Sequence, residues 1–322
     1  MDSLKKHQIF TIFIPALFLA VSCTEVKKER PLTTEAELGE ALYFDPILSR
    51  DSTVSCATCH KPEFAFADNT PVSIGIYHKK GTRNTPSSMN QTDRNAYFWD
   101  GRAETLEDQA LGPIENPIEM DLPISLAVRR LIRHERYKNA FISVYGKMPD
   151  AKLLAKALSG FEKTLETNNT AFDKYMNESD TTLFTESAKR GLNLFNGKGR
   201  CFDCHFGVDF SGNDKFKNIG LYNGKELNDK GRFEITKNPK DLGAFKTPGL
   251  RNIAQTAPYM HNGMFKTLME VIEHYDQPDK FVKGAINRDT IMNKPLGLTE
   301  TEKKDIENFM LSLSDERFLK KK

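Results

Sequence analysis

Two five-residue stretches constrain this chain more than anything else in it: CATCH at 56–60 and CFDCH at 201–205. The chain has five cysteines, Cys23, Cys56, Cys59, Cys201 and Cys204. Four of them form two C-x-x-C pairs, and a histidine follows each pair directly. Disulfides give no reason for the histidines, and a zinc site built from four cysteines would leave both of them idle. C-x-x-C-H is the attachment signature of c-type haem. Its spacing puts both sulfurs on one turn, within reach of the two vinyl groups, and the adjacent histidine meets the iron. His60 and His205 are therefore expected as proximal ligands of two covalent haems, with Cys56, Cys59, Cys201 and Cys204 as the thioether anchors.

The fifth cysteine reads differently. Lys5 and Lys6 precede an apolar run from Ile9 to Val21, which ends in LAVSC. That run is too short for a membrane span and fits a secretory signal. Small residues before Cys23 resemble a bacterial lipobox, so residues 1–22 read as a lipoprotein signal peptide and 23–35 as a linker. The expected location is the periplasm, with a lipid anchor at Cys23; the plainer alternative is an ordinary signal peptide with an incidental cysteine. Charge gives no case for nucleic acid, since 46 basic residues face 44 acidic ones.

The fold expected is mainly α: two cytochrome-c-like haem domains with long ordered loops, spanning 36–178 and 179–322. Similar lead-ins, ELGEALYFDPILS and AKRGLNLFNGKGR, precede the two haem motifs, each reading as an amphipathic helix that runs into a loop. Leu154, Leu158, Phe161 and Leu165 make one helical stripe. Thr299 with Glu302 forms a capping-box pattern ahead of Ile306, Phe309, Met310 and Leu313. Residues 61–120 and 206–260 are rich in Gly, Pro and Asn and read as loops, and loops of such length usually carry function. Near the C-terminus, Leu268, Val271, Ile272 and Tyr275 share a helix face. That places His274 on the other side, toward solvent.

Beyond the haem motifs, the chain resembles the bacterial dihaem cytochrome c peroxidases and their relative MauG. The resemblance runs from about residue 36 to the end. It rests on DPILSRDSTVSCATCH, GTRNTPS, FWDGRAETLEDQALGPIENPIEM and FKTPGLRNIAQTAPYMHNG. It implies that the 36–178 haem is peroxidatic and that the 179–322 haem transfers electrons to it. Glu119 falls on the family's catalytic glutamate and Gln109 on its distal glutamine. A single carboxylate can move the proton that O–O cleavage requires. Trp99, the only tryptophan, falls where the family places one between the haems. Asn84, Thr256 and Pro258 match an interdomain calcium site, and His261 matches a structural or electron-relaying histidine.

Two departures refine the reading. Where the family's peroxidases carry a histidine that caps the first iron until reduction, this chain has Ile76, which cannot ligate. His78 nearby reads as a surface residue. Where they carry a methionine on the second iron, counting fourteen residues on from His261 reaches Tyr275, as in MauG. The expected function is reduction of hydrogen peroxide to water with electrons passed through the second haem. One alternative is a MauG-like enzyme oxidising a protein or organic substrate through a high-valent dihaem state. Against its long-range oxidation of a partner, Gly199 replaces the surface tryptophan. The other alternative is a non-catalytic electron-transfer cytochrome. Expected partners are hydrogen peroxide, an electron donor (small cytochrome, cupredoxin or quinol-linked protein) and a second copy of the chain in a homodimer.

Overall fold

The computed structural model describes residues 30–177 and 179–319. The signal peptide and Cys23 lie outside the described residues. From Leu32 onward the chain forms one compact unit. Among the described residues, twelve α-helices dominate, and one two-stranded antiparallel ladder pairs Phe216–Lys217 with Phe245–Lys246.

Six helices frame the sites, three in each half: α1 (Glu35–Phe44), α2 (Leu106–Glu115), α3 (Ala151–Glu162), α4 (Glu186–Asn196), α5 (Leu268–Asp276) and α6 (Glu300–Leu311). Helices α1 and α4 are the two lead-ins. Each crosses a partner helix at a glycine. A Cβ on Gly39 would lie 1.9 Å from the Ala157 carbonyl oxygen and 2.8 Å from Phe161 Cβ. At Gly191 the corresponding distances are 1.9 Å to Asp305 O and 2.9 Å to Phe309 Cβ. Both partners are carbonyl and aromatic, four residues apart. Only glycine lets the backbones approach this closely.

The stripes predicted from periodicity are buried. Leu154, Leu158, Phe161 and Leu165 enter a core around α1 and α3, although α3 stops at Glu162 before the last of them. Ile306, Phe309, Met310 and Leu313 enter a second core around α4 and α6. Thr299 and Glu302 form the capping box that their spacing predicts. Helix α1 begins inside the stretch read as linker, capped by Thr34 in the same way.

One loop reading is corrected. Residues 61–120 contain α2, started by Thr105, whose side chain accepts from Asp108 N. Pro113 lies within α2 and obscured it in the sequence. Proline has no N–H, so the Gln109 carbonyl loses its helical donor there.

The halves also repeat at a second, finer level. YFWDGRAETLEDQALGP (97–113) and YMHNGMFKTLMEVIEHY (259–275) adopt the same path. Tyr97 N donates to Ala103 O and Tyr259 N to Phe265 O, and Thr105 and Thr267 then cap α2 and α5. Asn90 and Asn252 both take left-handed backbone conformations, and both amide groups donate to Thr167 Oγ1, at 3.1 and 2.7 Å. The match carries Trp99 onto His261, Asn84 onto Lys246 and Pro113 onto Tyr275.

Two main-chain bonds tie the halves at these matched positions. Asn84 N donates to His261 O at 2.7 Å, and Lys246 N to Trp99 O at 2.8 Å. Arg83 adds a two-pronged ion pair with Asp229.

Replacing Gly191 by alanine should lower stability by about 2–3 kcal/mol, because a backbone carbonyl stands where the methyl would go. Urea unfolding followed by circular dichroism measures this; a loss near zero would mean that α4 and α6 part freely.

Candidate functional site: two cavities and a shared wall

Each haem motif opens onto a cavity. The histidines of the two motifs are held alike. His60 Nδ1 donates to Phe66 O at 3.1 Å, and His205 Nδ1 donates to Phe210 O at 2.8 Å. Phe66 and Phe210 both have left-handed backbone angles, which turn their carbonyls back toward the rings. A donor at Nδ1 leaves Nε2 as the free lone pair, the form that a metal needs. Ser88 Oγ lies 3.1 Å from His60 Nδ1 and receives the Tyr43 hydroxyl at 3.1 Å, so the first histidine is oriented more fully. The four cysteines form no disulfide. Burial raises their thiols, Cys59 to about 11 and Cys201 to about 12. These donors and the apolar walls fit c-type haem at both places.

The second cavity is the more apolar. Leu268, Val271, Ile272 and Tyr275 present one face of α5 to it, as periodicity predicts, and Met260, Met292 and Met310 also line it. Burial raises the Tyr275 phenol, and no hydrogen bond offsets that rise. His274 contradicts expectation. It is 0% exposed, not solvent-facing, and its Nε2 donates to Ile219 O at 2.9 Å while Nδ1 has no partner. The helix has not rotated. The loop carrying Ile219 and the rings of Phe265 and Phe281 cover the far side of α5, so both sides are buried.

The first cavity, of about 760 Å³, is lined by His60, Gln109, Pro113, Asn116 and Glu119 among others. Thus three residues singled out in the 98–120 stretch face one space. Asn116 Nδ2 donates to Glu119 Oε1 at 2.6 Å. Burial raises the Glu119 carboxyl above its ordinary range, with Arg102 and Asn116 working against the rise. Ile76 is fully buried but is absent from the cavity wall, and its N–H donates to Glu119 O at 2.8 Å. His78 is exposed. Pro113 stands in this cavity at the position that Tyr275 takes in the other.

Trp99, Lys246 and Pro248 line both cavities. Trp99 Nε1 donates to Asn84 O at 2.8 Å. His261 lies edge-on to Trp99, 6.5 Å between ring centres, and stacks on Phe245 at 3.7 Å. Burial lowers His261 to about 4, so it stays neutral. Asn84 is buried, and its amide donates to Thr70 O, which leaves the amide oxygen available. Among the described residues, no group of three or more His, Cys, Asp or Glu is placed to hold a metal ion.

Comparison with known proteins agrees with this geometry. A profile of the family described as di-haem cytochrome c peroxidase matches residues 33–181. The methylamine utilization protein MauG of Methylorubrum extorquens is 37% identical over 294 residues, covering 90% of this chain and 81% of the relative. This chain belongs to the dihaem cytochrome c peroxidase/MauG family. The cytochrome c551 peroxidase of Pseudomonas aeruginosa is also 37% identical, over 257 residues, covering 77% and 73%. A crystal structure titled as a MauG-like protein associated with microbial copper homeostasis superposes with a TM-score of 0.79 at 30% identity, covering 88% and 90%.

Membership of the dihaem peroxidase/MauG family brings two c-type haems and a mainly helical fold. Two residues on the walls went unnoticed in the sequence. Glu162, at the end of α3, lines the first cavity, and burial raises its carboxyl to about 8. Only its place on the buried stripe, next to Phe161, could have signalled it. The other is Lys246, inside the FKTPG stretch. His274→Ala should cost about 1–3 kcal/mol in chemical unfolding, since it strips a buried carbonyl of its donor. A surface histidine would cost almost nothing.

Proposed function

We propose that this chain is a dihaem c-type peroxidase that reduces hydrogen peroxide to water at the His60 site, with electrons relayed from a cytochrome-type donor through the His205 site. One observation carries the reading. The first cavity holds a half-buried carboxyl, Glu119, and neither of the two positions matched to a distal ligand supplies one: Pro113 stands where Tyr275 stands in the other cavity, and Ile76 is buried away from the wall. Haem bound there supplies the iron that accepts peroxide and the electrons that split it.

The protein's own part is proton transfer and placement. Asn116 holds Glu119 Oε1, which leaves the other oxygen to take the proton from one peroxide oxygen and return it to the departing one. Gln109, one helical turn before Pro113, donates to the peroxide as it binds. Two further protons and two electrons balance the reaction to two waters. Trp99, on the wall of both cavities, couples the two sites. In the second cavity His205 and Tyr275 would be the residues that hold the haem iron. A phenolate there favours the ferric state more than the methionine of other family members would.

The chain then divides into a peroxidatic domain, 36–178, and an electron-transfer domain, 179–322. Calcium at Asn84, Thr256 and Pro258 would brace their junction. The leader places the enzyme in the periplasm, anchored by lipid at Cys23, and a homodimer is the assembly we favour. A MauG-like oxidation of a partner protein has less support. A side chain at Gly199 would meet Leu194 O at 2.9 Å and Ile306 at 3.3 Å, so the surface tryptophan has no room here.

Glu119→Gln should keep both haems and lose about 10²–10⁴-fold in peroxide turnover, measured at steady state. The active form must begin deprotonated, and burial raises this carboxyl. Wild-type kcat should therefore fall with decreasing pH at a value above the ordinary carboxylate range, a limb that the variant lacks. The fully ferric enzyme should react with peroxide on stopped-flow mixing without prior reduction; a requirement for one-electron reduction would mean that another residue caps the iron. Tyr275→Phe should change the spin state of the second haem by electron paramagnetic resonance, and Tyr275→Met should raise its potential.

A further inference from the structure

The stretch FKTPGLRN contains a buried lysine that the peroxidase chemistry above leaves unused. Lys246 follows Phe245 in the short ladder. Its N–H bond to Trp99 O fixes it at the junction of the halves, and the residue lines both cavities. The side chain is only 12% exposed. Behind it stands Asp214, 2% exposed, and beyond that Arg94, 5% exposed.

The charges in this cluster do not cancel. Lys246 Nζ and Arg94 Nη1 share one oxygen, Asp214 Oδ1, each at a long 3.2 Å. The other oxygen of Asp214 accepts from Asn95 N at 2.7 Å. Arg94 spends a further N–H on the Asn90 carbonyl. Among the described residues, Asp214 is the only carboxylate paired with either cation. Two buried cations on one anion leave a surplus positive charge, and a buried charge is stable only when paired. Burial, with Arg94 adding to it, lowers Lys246 to about 8, as expected of an ammonium that lacks its counter-ion.

The missing anion must arrive with a ligand, and both cavities take the same one. Haem carries two propionate carboxylates, and no other part of it is anionic at its edge. We propose that Lys246, backed by Arg94 and Asp214, binds haem propionate where the two cavities meet, and thereby holds up the reduction potentials of both haems together. In the first half the matched position is Asn84, so the repeat puts a cationic side chain on one side of the junction and a neutral amide on the other. The proposal rests on haem occupying both cavities.

The test uses the full-length holoprotein. Pyridine haemochrome analysis first establishes two haems per chain in every variant. Fewer than two in the wild type would overturn the dihaem reading itself, independently of Lys246. Spectroelectrochemical titration then gives both potentials. Lys246→Met should shift the oxidised-to-reduced ratio at least tenfold toward the oxidised form at both haems, a fall of 59 mV or more for a one-electron couple. Lys246→Arg should restore most of it. Asp214→Asn, which removes the opposing charge and keeps the shape, should move both potentials upward. Loss of packing alone would not give opposite signs. With two haems attached, potentials that stay put in both variants, or move at one haem only, would overturn the proposal. Should Lys246→Met fail to fold, the upward shift in Asp214→Asn decides alone, and its absence sinks the idea.

Discussion

Where two helices cross at a glycine, backbone touches backbone, and the rest of each half is built outward from that contact. Gly39 lies against the Ala157 carbonyl and Gly191 against that of Asp305. With the crossing fixed, Phe161 and Phe309 fall at the same height below it, and each lead-in helix is aimed so that the following loop delivers its Cys-x-x-Cys-His. A methyl group at either glycine would separate the helices and displace the loop with them. The haem positions thus depend on the absence of a side chain well away from any iron.

The duplicated path from the crossing to the distal helix explains how two similar sites come to differ. Both halves use a left-handed phenylalanine to hold the histidine of the Cys-x-x-Cys-His motif in one tautomer. Both use a threonine cap to start the helix that lines the cavity. The difference lies in what the helix presents at one matched position, Pro113 or Tyr275. One cavity then gains a phenol without a hydrogen-bond partner. The other gains a ring that can ligate nothing, together with the Glu119 carboxyl just past the helix end. That exchange, with Glu119 and Gln109 on the first wall only, is enough to make the two cavities chemically unlike.

Much of this was legible in the sequence, for reasons that can be stated. The Cys-x-x-Cys-His motifs act through local spacing, and that survives any tertiary context. The stripes of α3 and α6 were correct because each helix buries one face only. His274 was misplaced because α5 is covered on both sides, by the cavity on one and by Phe265, Phe281 and Ile219 on the other. Periodicity cannot signal a second buried face that accepts a polar ring. Helix α2 was hidden by Pro113, which reads as a breaker but sits near the helix end. The match of 97–113 to 259–275 was present in the letters. Its conserved marks are few, a tyrosine, a glycine and a Thr-Leu pair, and they needed the shared hydrogen bonds to become persuasive. Lys246 was invisible because a lysine in a loop reads as solvated.

The burial of the four thiols has a consequence for how the enzyme is made. Thioether formation needs a sulfur that can reach a vinyl group and give up its proton, and reactivity follows the thiolate. In the folded chain the thiols are held above their ordinary range by burial. The halves are also clamped across their junction by main-chain bonds at Asn84 and Lys246. Folding first would leave the sulfurs partly accessible but hold their protons more tightly. Attachment would meet less resistance on the open chain, before the two halves close around the haem sites.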